Sequence, residues 1–177
     1  MLPQCTRKGL AAIGNELPEL YLNPGEVQLV RQPSLLKTVL GSCVGVTFRS
    51  AHLGLGALCH GVLPTCPPGT EGAEGYRYVD FAIRDLISRF EALGARRGEI
   101  EVKLFGGADV LPVLATRSGR RTVGAQNCQT ARDVLRDEGL KILAFDLGGP
   151  DGRFIEFDTS TGEVLVRRLG LALAENE

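Results

Sequence analysis

Residues 35–61 read LLKTVLGSCVGVTFRSAHLGLGALCHG. Three apolar runs lie in this stretch, Leu35–Leu40, Val44–Phe48 and Leu53–Leu58, each too short for a helix and each bounded by Gly and Ser. The pattern predicts three buried strands joined by tight turns. If the second and third run pair as antiparallel neighbours, residues soon after the third return to the level of Cys43, and His60 stands there.

Cys43 follows Gly41 and Ser42 in the first of these turns, and Gly45 comes two residues later. Glycine lets the chain bend sharply and lets a substrate approach the backbone. Such a turn can leave the N–H groups around Gly41, Ser42 and Cys43 free to face a developing oxyanion. A thiol becomes a strong nucleophile only when a base or a positive dipole helps remove its proton. The chain has two histidines: His52 lies in the polar stretch Arg49–His52, whereas His60 closes an apolar strand, so His60 is the better partner. The competing reading is a small buried core thiol for Cys43 and a backbone-satisfied imidazole for His60.

Outward from this stretch, Pro67, Pro68 and three glycines make Thr65–Gly75 an exposed loop. Val79, Ile83, Leu86, Ile87, Phe90 and Leu93 then recur at helical spacing up to Gly94. A strand is expected over Ile100–Phe105, ending in Gly106–Gly107. Asn127 is placed to cap a second helix over Cys128–Glu138, stopped by Gly139. Lys141–Phe145, Phe154–Phe157 and Glu163–Arg168 complete the strands, the last two joined as a hairpin through Asp158–Gly162. Residues 1–34 are expected to hold an N-terminal extension and the first strands, and 171–177 a fraying tail, all within one α/β domain.

The chain has 177 residues, with 20 Lys plus Arg against 21 Asp plus Glu and a net charge of -1. That balance provides no basic field for a phosphate backbone, so nucleic acid is excluded as the expected partner. The opening residues lack a signal-peptide pattern and no run is long enough to span a bilayer, which predicts a cytoplasmic protein without membrane insertion. Five cysteines, at 5, 43, 59, 66 and 128, include no C-x-x-C pair and are expected to stay reduced. Cys43, Cys59, Cys66 and Cys128 with His60 lack the paired spacing of a structural zinc site, so no metal is expected. Gly106–Gly107 and Gly148–Gly149 read as strand exits, and the basic residues Arg117, Arg120 and Arg121 as a solvated loop.

Leu40-Gly-Ser-Cys-Val, His60-Gly-Val-Leu-Pro, Tyr78-Val-Asp-Phe-Ala-Ile, Lys103-Leu-Phe-Gly-Gly-Ala, Gly124-Ala-Gln-Asn and Asp146-Leu-Gly-Gly with Arg153 and Phe157 occur in this order between Leu35 and Leu169. Together they resemble the CheD family of chemoreceptor glutamine deamidases. The resemblance implies a three-layer αββα sandwich similar to that of glutamine-deamidating toxins, with Cys43 as nucleophile and His60 as its histidine. It implies a third member just before the cysteine, which is Thr38 unless the offset differs by one residue and places Lys37 there. It implies methyl-accepting chemotaxis receptors as protein substrate, glutamine converted to glutamate with release of ammonia, and possible action on receptor methyl esters. It also implies a CheC-type phosphatase as a second partner, no metal or organic cofactor, and, as the alternative, a non-catalytic adaptor. Gln126 departs from the family pattern, where a basic residue is expected.

Overall fold

In the turn between the first two runs, the chain reverses from one β-sheet into another. The computed structural model of the chain describes residues 16–109 and 121–170. Its elements in order are β1 (Glu19–Tyr21), β2 (Val27–Val30), β3 (Leu35–Leu40), β4 (Val44–Ser50), β5 (Leu55–Gly61), α1 (Val79–Ala92), β6 (Glu101–Gly106), α2 (Val123–Asp137), β7 (Ile142–Leu147), β8 (Gly152–Asp158) and β9 (Val164–Leu169). One sheet has the order β1-β3-β8-β9 and the other β2-β5-β4-β6-β7. Thus β3 and β4, adjacent in sequence, belong to different sheets, while β4 and β5 form the expected antiparallel hairpin. The third strand runs three residues further than its apolar pattern, through His60 to Gly61.

Alternation along the strands accounts for the layers. Leu36 and Leu40 of β3 and Ile155 and Phe157 of β8 meet Leu58 and Phe105 from the five-stranded sheet, forming the core between the sheets. On the opposite face of the five-stranded sheet, Val44, Val46 and Phe48 of β4, Leu55, Ala57 and Cys59 of β5, and Val102 and Leu104 of β6 pack under both helices. From α1 come Ala82, Ile83, Leu86, Ile87 and Phe90, the face its sequence period predicted, and Phe90 lies 6.0 Å from Phe48 between ring centroids. Helices cover the five-stranded sheet only among the described residues, so the expected αββα layering is seen in its ββα part. Arg117 and Arg120, the tail 171–177 and residues 1–15 lie outside the described residues.

The second helix begins earlier than expected. Thr122, not Asn127, is its N-cap, accepting the Ala125 N–H at 3.1 Å. Threonine and asparagine share the short polar side chain that caps require, and Gly124 weakens the helical signal between them. Gly124 serves close packing: a Cβ there would lie 2.7 Å from the Gly107 carbonyl oxygen and 2.8 Å from that of Ala108. The start of α2 therefore rests directly on the backbone that follows β6.

Candidate active site

Thr38 occupies the inward face of β3, between Leu36 and Leu40, and is wholly buried. His60 points inward from the facing strand β5 and is 1% exposed. Across the gap Thr38 Oγ1 lies 2.7 Å from His60 Nδ1. The same hydroxyl lies 2.8 Å from the Leu22 carbonyl oxygen, to which it donates. A hydroxyl has one proton and a carbonyl can only accept, so Thr38 gives its proton to Leu22 and accepts from Nδ1–H. Nε2 is then the unprotonated nitrogen, and it is buried with no hydrogen-bond partner among the described residues.

The backbone of His60 is held from its other side, where Glu26 O accepts its N–H at 3.0 Å and Gly25 N–H donates to its carbonyl at 2.8 Å. Burial pushes the imidazole pKa down to about 4, against smaller opposing contributions from the Leu22 carbonyl and Glu26. His60 is therefore neutral in ordinary buffers, with Nε2 available as a base.

Lys37 is excluded from this contact by strand alternation. Its side chain faces outward, paired with Glu19 at 2.6 Å and Glu156 at 3.1 Å. Of the two residues, Thr38 is the one that contacts His60.

Cys43 is half-buried against the core between the sheets, one residue before the Val44–Gly61 pair that ends the β4–β5 ladder. In the same ladder Gly45 pairs with His60, so the cysteine turn and the imidazole occupy the same end of the hairpin. Burial raises the Cys43 thiol pKa, while the residue's own N–H acts in the opposite direction. All three carbonyls of the turn are engaged. Gly41 O accepts from Ala108 N–H at 2.8 Å, Ser42 O from Asn127 Nδ2 at 3.0 Å, and Cys43 O from Gly107 N–H at 2.7 Å. Gly106 makes this approach possible: its φ is 104°, and a Cβ there would fall on the Cys43 carbonyl oxygen.

A half-buried thiol, a neutral imidazole with a free Nε2 and a turn with anchored carbonyls form a set suited to acyl transfer. The family model described as CheD chemotactic sensory transduction matches residues 62–168. A relative from Geobacter sulfurreducens, named "Probable chemoreceptor glutamine deamidase CheD 2", is 42% identical over 161 residues, 91% of this chain and 96% of its own length. Relatives named "Probable chemoreceptor glutamine deamidase CheD" from Rhodospirillum rubrum and Archaeoglobus fulgidus are 38% and 36% identical, over 90% and 84% of this chain and 87% and 92% of their own lengths. The chain belongs to the CheD family.

The family match begins two residues after His60, so Thr38, Cys43 and His60 lie outside the matched segment. Gln126, where CheD proteins were expected to have a basic residue, is exposed and donates through Nε2 to the Arg121 carbonyl oxygen at 2.8 Å. Cys59 faces the helices in the core, and burial pushes its thiol up to about 12. The Gly148–Gly149 exit is wired to the site, since Gly148 N–H donates to Gly106 O at 2.9 Å and Asp109 N–H to Gly149 O at 2.8 Å. Buried Arg153 braces that exit through Gly148 O at 2.6 Å and Asp146 Oδ1 at 2.8 Å. Sequence reasoning missed Asn127 as a neighbour of the cysteine turn. Its signals were its place in the Gly124-Ala-Gln-Asn motif and a polar side chain on the buried face of a helix. Among the described residues no cluster of three His, Cys, Asp or Glu is arranged to hold a metal, and no helix is long and apolar enough to cross a membrane.

Proposed function

We propose that this chain deamidates glutamine side chains of methyl-accepting chemotaxis receptors through a thioester on Cys43. The observation that carries the reading is the Thr38–His60 bond at 2.7 Å, which leaves Nε2 as a buried, unpartnered base at the level of the cysteine turn. The relatives' names supply the substrate class.

In the proposed reaction Cys43 Sγ forms a bond to the substrate carboxamide carbon as its proton passes to His60 Nε2. The carbonyl oxygen becomes an oxyanion facing N–H groups of the Gly41-Ser42-Cys43 turn. As the C–N bond breaks, Nε2 returns the proton to the nitrogen and ammonia departs. Water then attacks the thioester, giving a proton to Nε2, and collapse releases glutamate while the proton returns to sulfur. Thr38 fixes the ring throughout, accepting from Nδ1–H and steadying the transient imidazolium, as the third member of a triad does. The chain's own groups complete this cycle without a metal or organic cofactor.

A glutamyl methyl ester could enter the same acyl-enzyme route, with methanol in place of ammonia as leaving group. The cytoplasmic setting, the CheC-type phosphatase partner and the full αββα layering also belong to this proposal, resting on family resemblance. A non-catalytic adaptor is not favoured, because it has no use for a thiol and a free imidazole nitrogen at one strand end. Ammonia release from purified receptor cytoplasmic fragments tests the reading. Cys43→Ala and His60→Ala are each expected to abolish it; undiminished release in either variant removes that residue from the mechanism.

A further inference from the structure

Asn127 has no part in the steps above, yet it is the side chain that joins the two segments of the site. It is wholly buried, in the second turn of α2. Nδ2 donates to Ser42 O at 3.0 Å and to Val62 O at 2.9 Å. Ser42 precedes the nucleophile, and Val62 lies two residues beyond His60. Because both partners are carbonyls, the nitrogen must face them, and Oδ1 is turned away. That oxygen is buried with no partner among the described residues.

The β4–β5 ladder ends at the Val44–Gly61 pair, just short of Cys43. Beyond that pair no backbone bond among the described residues ties the cysteine turn to the His60 strand, and the Asn127 amide supplies the missing tie from the helix side. Its own position is fixed, since α2 is capped by Thr122 and Gly124 rests on the Gly107–Ala108 backbone that anchors Gly41 and Cys43. An apolar side chain at 127 would remove the orphaned oxygen but would leave the Ser42 and Val62 carbonyls without this donor, so the amide is there for the two segments it ties together.

We infer that Asn127 is a positioning residue for catalysis: by holding Ser42 and Val62 together it keeps the Cys43 thiol, His60 Nε2 and the turn N–H groups in reacting register. The inference rests on the deamidase reading for its kinetic arm, while its structural arm needs no substrate. Asn127→Gln keeps the carboxamide but displaces it by one methylene; Asn127→Ala removes both bonds. Receptor-fragment deamidation would be followed for kcat and KM, alongside amide hydrogen exchange at Gly107, Ala108 and, as a core control, Leu86.

For Asn127→Gln, kcat is expected to fall about 100-fold with KM within about threefold, as for a small misplacement of reacting groups. Exchange at Gly107 and Ala108 is expected to quicken on the order of tenfold with Leu86 unchanged, the signature of local rather than global opening. Asn127→Ala should follow the same pattern more strongly. The inference is overturned if Asn127→Gln keeps the wild-type kcat, if Leu86 exchange quickens as much as the turn amides, or if Asn127→Gln fails to fold, since each makes Asn127 a stability residue only. Should the wild-type protein release no ammonia, the deamidase reading fails separately; unchanged turn exchange would then overturn the positioning role.

Discussion

A buried imidazole bonded at Nδ1 to a threonine that has already given its proton to a carbonyl has one comfortable tautomer, and that tautomer leaves Nε2 bare. The arrangement has consequences for pH. The folded pKa of His60 is lowered to about 4 from an ordinary 6.5, so the unfolded chain binds the proton first as pH falls. The associated stability is complete above the ordinary value and is lost progressively as pH falls from 6.5 towards about 4. The loss amounts to roughly 3 kcal/mol by linkage. Urea unfolding across that range should show it in the wild type, and the part due to His60 should vanish in His60→Gln. Thr38→Val keeps the shape but leaves Nδ1–H without its acceptor. It is expected to cost about 1–3 kcal/mol of stability and to lower kcat on the order of 100-fold through loss of ring orientation, measured by denaturant unfolding and ammonia release. That Cys43 and His60 come to the same end of the β4–β5 hairpin was legible in sequence, because the antiparallel pairing of two adjacent apolar runs sets that register. That Thr38 rather than Lys37 faces His60 was not, because a one-residue offset decides which face of β3 a side chain takes, and only pairing with β8 fixes that face.

At the scale of elements, α1 could be read from its apolar period because Ile83, Leu86, Ile87 and Phe90 all lie on one buried face. Phe48→Ala, which removes the ring opposite Phe90, is expected to cost about 3–5 kcal/mol in denaturant unfolding, by lost burial and the cavity left behind. The hairpin β4–β5 was legible too, although its second strand reaches His60 and Gly61, where the apolar alternation had ended. That extension comes from neighbours rather than from propensity: β2 and β4 flank β5 on both sides. The start of α2 was misread because Thr122 and Asn127 carry equivalent capping chemistry, and only the fold tells which one meets a free N–H. Thr122→Ala is therefore expected to destabilise by about 1 kcal/mol, the usual cost of losing a cap, with a matching fall in the unfolding midpoint.

For the whole molecule, the arrangement of two sheets explains why residues far apart in sequence form one site. The chain passes from one sheet to the other through the Gly41-Ser42-Cys43 turn, so Thr38 and His60 approach from opposite sheets while Cys43 stands at the crossing. Short apolar runs could announce a sheet-centred domain, but which runs share a sheet depends on long-range pairing, such as β3 with β8, that local pattern does not encode. The helices settle on one sheet because the period of each strand sorts Val44, Val46 and Phe48 to that side. The central claim is that this crossing is a thiol deamidase centre. Its most direct test is mass spectrometry of receptor cytoplasmic fragments incubated with the wild-type protein and with Cys43→Ala. The account predicts a gain of roughly one dalton at specific glutamines, the mark of amide-to-acid conversion, with wild type and none with Cys43→Ala; an equal gain with both proteins, or none with wild type, would contradict it.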